Sequence, residues 1–255
     1  MSEQLLKKEV HEGVCTLSIN RIEKHNAINF GLIREFGRRL DEARMDDEIK
    51  LVVIRGAGEK AFCSGGDLSE FHALKTEVEA YGMLSQMGEV LYKIATFPKP
   101  TIAYINGVAV GGGCEIAAAC DLRVAHHQAR MGFVQGNQGI TTGWGGGTLL
   151  TERISQDGAL RMLWSAGVIT AEEAKIAGFI SEIIDVDQDI ERYVQDFKDK
   201  QSGVLQAYKQ ILVRKWERTD VKKRMEEEIA VCAKLWESDE HHAAVAEFRN
   251  RRKQL

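Results

Sequence analysis

Hydrophobic positions along the chain alternate between the spacing of strands and the spacing of helices. Residues 13–19 alternate between polar and apolar side chains as a half-buried strand does, and residues 51–54 form an apolar run typical of a buried strand. Between them, residues 32–43 place Ile33 and Phe36 on one face of a helix. Continued alternation of this kind predicts an α/β fold with mainly parallel strands. Further strands are predicted at residues 101–105 and 122–125 and further helices at residues 77–97 and 115–120, and a segment at residues 131–134 extends the same pattern.

Beyond Thr148 the pattern becomes mainly helical, with one short strand predicted at residues 180–184. No repeat and no low-complexity linker interrupts the chain, so two independently folding domains are not predicted. We predict instead one core over residues 1–195 and a C-terminal helical region over residues 196–255, whose apolar faces are suited to contacts between subunits. The predicted helices cover residues 160–166, 171–177, 190–198, 204–216, 221–236 and 242–251.

Two glycine-rich turns each follow an apolar, strand-like run. The first is Ser64-Gly65-Gly66-Asp67, and the second is Gly111-Gly112-Gly113-Cys114-Glu115. A glycine can present its backbone N–H to a ligand without a Cβ in the way, and a helix that begins after the second turn adds its positive N-terminal dipole. Brought together, two such turns would form an oxyanion hole, for which a carbonyl oxygen becoming an enolate is the natural guest.

Composition contributes mainly by excluding partners. The chain has 255 residues, 44% of them hydrophobic, and a formal net charge of -4, so it can bury a full core and carries no general basic signature for nucleic acid. Its first 12 residues lack the apolar core of a signal peptide, and no apolar run reaches the length of a membrane span. These features predict a cytoplasmic protein without membrane attachment.

The spacing of cysteine and histidine does not predict a metal site. The five cysteines form neither a dense disulfide framework nor a paired C-x-x-C zinc motif, so free thiols are predicted. The pairs His126-His127 and His241-His242 lack partners at motif spacing, and we expect them on the surface. Ser64 lacks a His–acid companion at the spacing of a nucleophile elbow, which disfavours acyl-enzyme chemistry.

Glycine-rich turns that precede helices also bind phosphates in nucleotide-dependent enzymes. The chain contains no G-x-x-x-x-G-K-[ST] motif, and residues 107–113 do not fit the G-x-G-x-x-G motif. The sequence therefore predicts neither a P-loop enzyme nor a dehydrogenase that uses a dinucleotide.

Three segments resemble the crotonase superfamily, also called the enoyl-CoA hydratase/isomerase family. They cover residues 20–29, 61–68 and 105–115, in the family's order and approximate spacing, and the resemblance extends over essentially the whole chain. Ile22 stands where the family usually has a proline. The resemblance implies a crotonase (ClpP/crotonase-like) spiral of ββα units that assembles as a trimer or a dimer of trimers. It also implies an acyl-CoA thioester substrate, with no metal and no separate cofactor.

The resemblance further implies roles for single residues. The backbone amides of Gly66 and Gly112 would hold the thioester oxygen during catalysis. Glu115 matches the first catalytic glutamate, although a carboxylate at this place also satisfies a helix N-terminus, and the two roles can coexist. Asp67 is expected to brace its loop by hydrogen bonds. The residues implied to line the bound pantetheine and the root of the acyl chain are Gly66, Asp67, Leu68 and Ser69.

Gln135 occupies the position of the family's second acid, counted back from Gly139. Glutamine cannot take a proton, and residues 134–138 contain no carboxylate, so a two-glutamate hydratase is disfavoured. Residues 133–148, with Trp144 before a glycine run, look more like the methylmalonyl- and ethylmalonyl-CoA decarboxylase branch. Decarboxylation needs an oxyanion hole and a proton donor but no base to activate water. Gln135 and Trp144 are expected to line the acyl pocket, and for Trp144 a role as core filler stays open.

The sequence therefore predicts an enzyme that decarboxylates a short acyl-CoA of the methylmalonyl- or ethylmalonyl-CoA type through a stabilised enolate. The alternative is an enoyl-CoA hydratase or isomerase of fatty-acid or branched-chain metabolism. A second alternative is a non-catalytic family member that binds CoA or RNA. The mildly acidic composition and the intact glycine turns count against this last alternative.

Overall fold

The computed structural model describes residues 4–185 and 189–252. Its strands form two sheets, one with six strands and one with four, and the predicted α/β class is confirmed. The strands are β1 (Leu6–His11), β2 (Val14–Ile19), β3 (Leu51–Gly56), β4 (Ala61–Cys63), β5 (Thr101–Ile105), β6 (Val108–Val110), β7 (Leu122–His126), β8 (Arg130–Gly132), β9 (Ile169–Thr170) and β10 (Glu182–Ile184).

The large sheet has the order β1-β2-β3-β5-β7-β10, and the small sheet has the order β4-β6-β8-β9. Antiparallel pairing is confined to the β1–β2 hairpin and the β8–β9 pair, so the prediction of mainly parallel strands is confirmed for the described residues. The sequence pattern did not predict β1, because among its six residues only Leu6 is buried.

Several of the helices begin at residues whose side chains cap them. Asn29 accepts a hydrogen bond from the amide of Leu32, and Thr76 forms a capping box with Glu79. The helices are α1 (Phe30–Met45), α2 (Leu68–Phe71), α3 (Glu77–Ala95), α4 (Gly112–Ala119), α5 (Gly146–Arg153), α6 (Gln156–Ser165), α7 (Ala171–Ile176), α8 (Asp189–Lys198), α9 (Ser202–Arg218), α10 (Val221–Trp236) and α11 (Asp239–Arg252).

Three successive strand pairs form the spiral that the resemblance implies. In the pairs β3–β4, β5–β6 and β7–β8, the first strand joins the large sheet and the second joins the small sheet. Because β4 and β6 are parallel neighbours, the turns that follow them lie at the same edge of the small sheet. The topology therefore brings the two glycine-rich turns together.

Most buried side chains belong to one core between the sheets and the helices, and α10 contributes Met225, Ile229 and Cys232 to it. A smaller cluster lies on the other face of the large sheet, where Ile190 and Val194 of α8 pack against it. The predicted boundary at residue 195 falls inside α8, and the division into a core and a helical region stays a prediction whose outer ends lie beyond the described residues. All five cysteines are buried free thiols, as predicted.

None of the helices within the described ranges has the length and apolar character of a membrane span.

Candidate active site

A cavity of about 1140 Å³ lies where the two glycine-rich turns face α3, α10 and α11. Its walls include every residue that the sequence singled out for the site, from both turns and from the segment around residue 135. These residues are Gly66, Asp67, Leu68, Ser69, Gly112, Glu115, Gln135 and Trp144.

The first turn is held by a short parallel bridge to Ile28. The amide of Ile28 donates to the carbonyl of Gly65 at 2.8 Å, and the carbonyl of Ile28 accepts from the amide of Asp67 at 2.8 Å. Gly65 has a φ of +91°, a conformation that favours glycine. The bridge uses the peptide groups on either side of Gly66, and the Gly66 N–H donates to no acceptor among the described residues.

The second turn leads directly into α4. Gly111, with φ +55° and ψ −120°, caps the helix, and its amide donates to the carbonyl of Gly132 at 2.9 Å. Gly112 is the first residue of α4, so its N–H has no partner inside the helix. Within the described part of the chain this N–H has no other acceptor, and it lies at the positive end of the helix dipole.

Trp144 lies across both turns. A Cβ added to Gly112 would lie 2.0 Å from the indole Cζ3, and one added to Gly66 would lie 3.8 Å from the indole Cζ2. The turns also touch one another, because a Cβ added to Gly65 would lie 3.3 Å from the nitrogen of Gly112. Glycine at position 112 is therefore required by the close approach of the indole, in addition to any role of its amide.

Glu115 is almost completely buried in the first turn of α4. Its Oε2 accepts from the amides of Trp144 at 2.8 Å and Gly146 at 3.0 Å. Its Oε1 accepts from the side-chain Nε2 of Gln135 at 2.8 Å and from the amide of Gly143 at 3.3 Å. Four N–H groups thus fix the orientation of this carboxyl beside the two glycine turns.

Two opposing effects set the proton affinity of Glu115. Burial and, to a smaller extent, the negative charge of Glu228 raise its pKa, the hydrogen bonds from Trp144, Gly146 and Gly143 lower it, and the net result is a pKa of about 7. A carboxyl whose pKa lies near neutrality can both take up and release a proton under physiological conditions.

The side-chain amide of Gln135 lies beside Glu115. Gln135 stands at the position where the family resemblance implies a second acid. Its Nε2 donates to the Glu115 carboxyl, whereas its Oε1 is buried and has no hydrogen-bond partner in the described structure. A buried acceptor without a donor is unusual, and this oxygen is able to accept a hydrogen bond from a ligand in the cavity.

Asp67 braces the first turn, as the sequence predicted. Its Oδ2 accepts from Nη2 of Arg21 at 2.8 Å, and its Oδ1 accepts from both the amide and the hydroxyl of Ser69. Arg21 is also bound to the carbonyl of Ala27 at 2.6 Å, so this pair joins the 66–69 turn to the segment that carries Ile28. Arg21 was not predicted as part of the site, although it lies in the 20–29 segment that carries the resemblance.

Replacing Asp67 by asparagine is expected to lower the free energy of unfolding by about 1–3 kcal/mol at pH 7, because it leaves the buried Arg21 charge unpaired. Burial by itself raises the pKa of Asp67, but hydrogen bonds from Ser69 and Arg21 outweigh it and lower the pKa. The stabilisation is therefore present above the unfolded-state pKa and is lost as the pH falls through the folded-state value. Urea unfolding of the wild type and of Asp67→Asn at pH 7 and pH 3 measures the loss of stability and its dependence on pH. If the substitution lowers the free energy of unfolding equally at the two pH values, the ionised Asp67 does not stabilise the turn.

The apolar walls of the cavity come from helices that local motifs did not assign to the site. They line the cavity together with the glycine turns, and Lys24 and His25 also border it. Only tertiary packing brings these side chains together, since they are far apart along the chain. The apolar wall residues are Phe71, Met83, Leu84, Cys232, Trp236 and Phe248.

The prediction that the histidine pairs lie on the surface is wrong for His241. This side chain is only 2% exposed, its ring packs against Trp236 at 4.7 Å, and its Nδ1 lies 2.7 Å from the carbonyl of Gln138. These contacts fasten the start of α11 to the segment that carries Gln135. Among the described residues, no group of three or more histidine, cysteine or acidic side chains is placed to hold a metal ion.

Comparison with known proteins gives the same family over nearly the whole chain. The family model described as enoyl-CoA hydratase/isomerase matches residues 9–255. The chain is 36% identical over 182 residues to mitochondrial methylglutaconyl-CoA hydratase of Mus musculus, a match that covers 71% of this chain and 58% of that protein. It is 30% identical over 257 residues to 2,3-dehydroadipyl-CoA hydratase of Escherichia coli (strain K12), covering 99% and 97%.

A solved structure supports the fold independently. The crystal structure of enoyl-CoA hydratase from Bacillus halodurans superposes with a TM-score of 0.87 at 22% sequence identity, covering 96% of this chain and 100% of that one. At this identity the likeness concerns the fold alone. The chain belongs to the enoyl-CoA hydratase/isomerase family, the crotonase superfamily.

Proposed function

We propose that this protein is an enzyme that adds water to a 2-enoyl-CoA thioester through an enolate held in an oxyanion hole. The observation that carries the proposal is the pair of N–H groups, on Gly66 and Gly112, that have no acceptor among the described residues and lie at touching turns beside Glu115. The relatives described above are named hydratases, which favours hydration over the decarboxylation that the sequence predicted. A double-bond isomerase would use the same two N–H groups to hold a different intermediate, the conjugated dienolate formed when a proton is removed from the substrate.

The oxyanion hole would act on the thioester oxygen. As a nucleophile adds at C3, negative charge develops on that oxygen, and two fixed N–H donors stabilise it without reorganising. Removal of one such donor typically costs about 3 kcal/mol of transition-state stabilisation. Trp144 covers the two turns with an apolar ring and so helps to exclude bulk water from the developing charge.

Glu115 would carry the proton in both halves of the addition. Its carboxylate takes a proton from the water whose oxygen attacks C3, and the carboxyl then returns that proton to C2 as the enolate collapses. The balance is the addition of one water across the double bond. A single carboxyl can serve in this way because its pKa is raised to about 7, and Gln135 need not supply a proton.

Decarboxylation remains the second candidate because of Gln135. The residue beside Glu115 is an amide, and its Nε2 is engaged with that carboxyl, so the usual second acid is missing from this position. An enolate formed by loss of carbon dioxide would need the same two N–H groups and one proton donor, for which Glu115 would suffice.

The proposal includes an assembly of copies of this chain as a trimer or a dimer of trimers, in the cytoplasm, with no cofactor beyond the CoA of the substrate. Support for assembly comes from α9, where Val204, Tyr208 and Ile211 lie on one helical face and are 47%, 69% and 61% exposed. Light scattering of the purified protein tests this part of the proposal.

Product analysis by mass spectrometry tests the activity. The protein is incubated separately with crotonyl-CoA, methylmalonyl-CoA and ethylmalonyl-CoA. We expect crotonyl-CoA to gain one water and the two malonyl thioesters to remain intact. Loss of carbon dioxide from a malonyl thioester without hydration of crotonyl-CoA would establish the decarboxylase instead, and binding of all three thioesters without turnover would indicate a non-catalytic CoA-binding protein.

A further inference from the structure

Two carboxyl groups from different helices accept hydrogen bonds from consecutive backbone amides at the start of α5. Glu115 of α4 accepts from the amides of Trp144 and Gly146, as described above. Glu228 of α10 accepts from the next two amides, those of Gly147 at 3.0 Å and Thr148 at 2.6 Å. The first turn of one short helix therefore orients two acids, one on the cavity wall and one behind it.

The glycine run before α5 provides the space for both carboxyls. A Cβ added to Gly146 would lie 2.3 Å from Cγ of Glu115. A Cβ added to Gly147 would lie 2.6 Å from the hydroxyl oxygen of Thr142 and 3.3 Å from Oε1 of Glu228. The two glycines are thus explained by the seating of two acids, which the sequence did not predict.

We propose that Glu228 is a positioning residue for Glu115: it fixes the turn that orients Glu115 and, by its negative charge, keeps that carboxyl able to take up a proton. The inference rests on the proposed function, in which Glu115 carries the proton. Two like charges bound to adjacent amides of one helix turn each make ionisation of the other less favourable. Glu228 thereby does electrostatically part of what a second acid in the cavity does in a two-carboxylate site.

Among the side chains described around Glu115, Glu228 is the charged group that affects the ionisation of Glu115. Neither carboxyl has a salt-bridge partner among the described residues. Towards Glu115, α10 also brings the Cys232 thiol, whose pKa burial raises well above neutrality, so the thiol is uncharged. The Cys114 thiol, next in sequence to Glu115, is uncharged for the same reason.

The remaining neighbours of the pair are neutral or engaged elsewhere. The 134–138 segment contributes the uncharged Gln135, and α3 contributes Met83 and Leu84 to the cavity. On α10, one turn before Glu228, Arg224 pairs with Glu152 of α5 at 2.8 Å. The last residue of α5, Arg153, pairs with Asp121 at 3.2 Å. Burial raises the pKa of Glu228 itself, and the hydrogen bonds from the amides of Gly147 and Thr148, with the influence of Thr142, offset this increase only in part.

The test is the substitution Glu228→Gln in the full-length protein, which removes the charge and keeps an oxygen that can accept an amide. The protonation of Glu115 is followed by infrared difference spectroscopy as a function of pH, with Glu115→Gln used to assign its carboxyl band. We expect the apparent pKa of Glu115 to fall by about one unit. In the same variant, the acidic limb of the kcat profile is expected to move to lower pH by the same amount.

The matched control is Glu227→Gln, which removes the same charge from an exposed neighbour on α10. It is expected to leave the Glu115 titration unchanged. A second variant, Thr142→Val, removes a hydroxyl whose presence lowers the pKa of Glu228, so it favours the neutral form of Glu228 and should shift the Glu115 titration in the same direction by a smaller amount. This variant gives an answer even where Glu228→Gln does not fold.

A Glu115 titration that stays fixed in Glu228→Gln, or in Thr142→Val where only that variant folds, would overturn the inference, whatever the activity of the protein. A shifted titration in a protein that hydrates no enoyl-CoA would leave the coupling of the two acids standing and would refute the proposed function instead. The spectroscopic readout therefore separates the two failures.

Discussion

Replacing Gly112 by proline is expected to lower kcat by about 10²–10³-fold relative to the variant Gly112→Ala. Both substitutions introduce a Cβ where the indole of Trp144 lies, 2.0 Å from Cζ3, so both strain the second turn equally at that point. Only proline removes the N–H that the oxyanion hole requires. Proline is also tolerated at the first position of a helix, which Gly112 occupies in α4, so the backbone itself does not forbid the substitution.

Steady-state kinetics with crotonyl-CoA, together with thermal unfolding of both variants, measures this difference. Gly82→Ala on α3 is the control for an added methyl group, because a Cβ there meets no atom within 4 Å, and its kcat is expected to equal that of the wild type. If the proline and alanine variants have the same kcat, the amide of Gly112 is not the donor, and the loss is due to displacement of Trp144.

The sequence predicted the turns of the site because their geometry is local. An apolar run followed by two glycines indicates a strand that ends in an open turn, and two such units in succession form parallel neighbours, here β4 and β6. Glu115 lies in the helix that begins at the second turn, so its position close to the backbone N–H groups of that turn could be predicted. Gln135 could be placed beside Glu115 only through the family resemblance, and the hydrogen bond between them agrees with that placement.

Partners that are distant in sequence could not be predicted in this way. Arg21 and Asp67 lie 46 positions apart, and Glu228 lies 81 positions from Gly147. No spacing rule joins such residues, because only the packing of one element on another brings them together. The same reason explains why the glycine run after Trp144, which the sequence analysis associated with decarboxylase chemistry, proves to accommodate the side chains of Glu115 and Glu228.

The expectation that His241 is exposed failed through tertiary contact. The pair with His242 at the start of α11 is typical of a solvated helix end, but the helix folds back over the 134–138 segment. The imidazole of His241 is therefore buried against Trp236, and residues of α11 form part of the cavity wall.

Replacing Glu115 by glutamine is expected to lower kcat for hydration by about 10²–10⁴-fold, the usual contribution of a positioned acid–base group. The affinity for crotonyl-CoA should change little, because the amides of Gly66 and Gly112 remain. In the wild type, kcat should fall as the pH is lowered through about 7, since the base must be ionised to accept a proton from water. In Glu115→Gln the residual rate should lack this acidic limb.

The fold of this variant is expected to survive because of Gln135. The new carboxamide must turn its NH₂ towards one side of a site that offers four N–H donors, which would set donor against donor. Gln135 can remove the main part of the conflict by rotating its own amide, so that its Oε1, which has no partner among the described residues, accepts from the new NH₂ at the position of the present 2.8 Å contact. The longer hydrogen bond from the amide of Gly143, at 3.3 Å, is then the one that is lost. The other oxygen of residue 115 keeps the amides of Trp144 and Gly146.

The double variant Glu115→Gln/Gln135→Leu tests that explanation, because leucine cannot accept from the new NH₂. We expect it to be less stable than Glu115→Gln alone by about 1–3 kcal/mol, the penalty for a buried polar group without a partner. Calorimetric affinities for crotonyl-CoA and stopped-flow rates then separate binding from chemistry. A Glu115→Gln protein that folds, binds and still retains more than about a tenth of wild-type kcat would show that Glu115 only seats the start of α5, and that another group moves the proton.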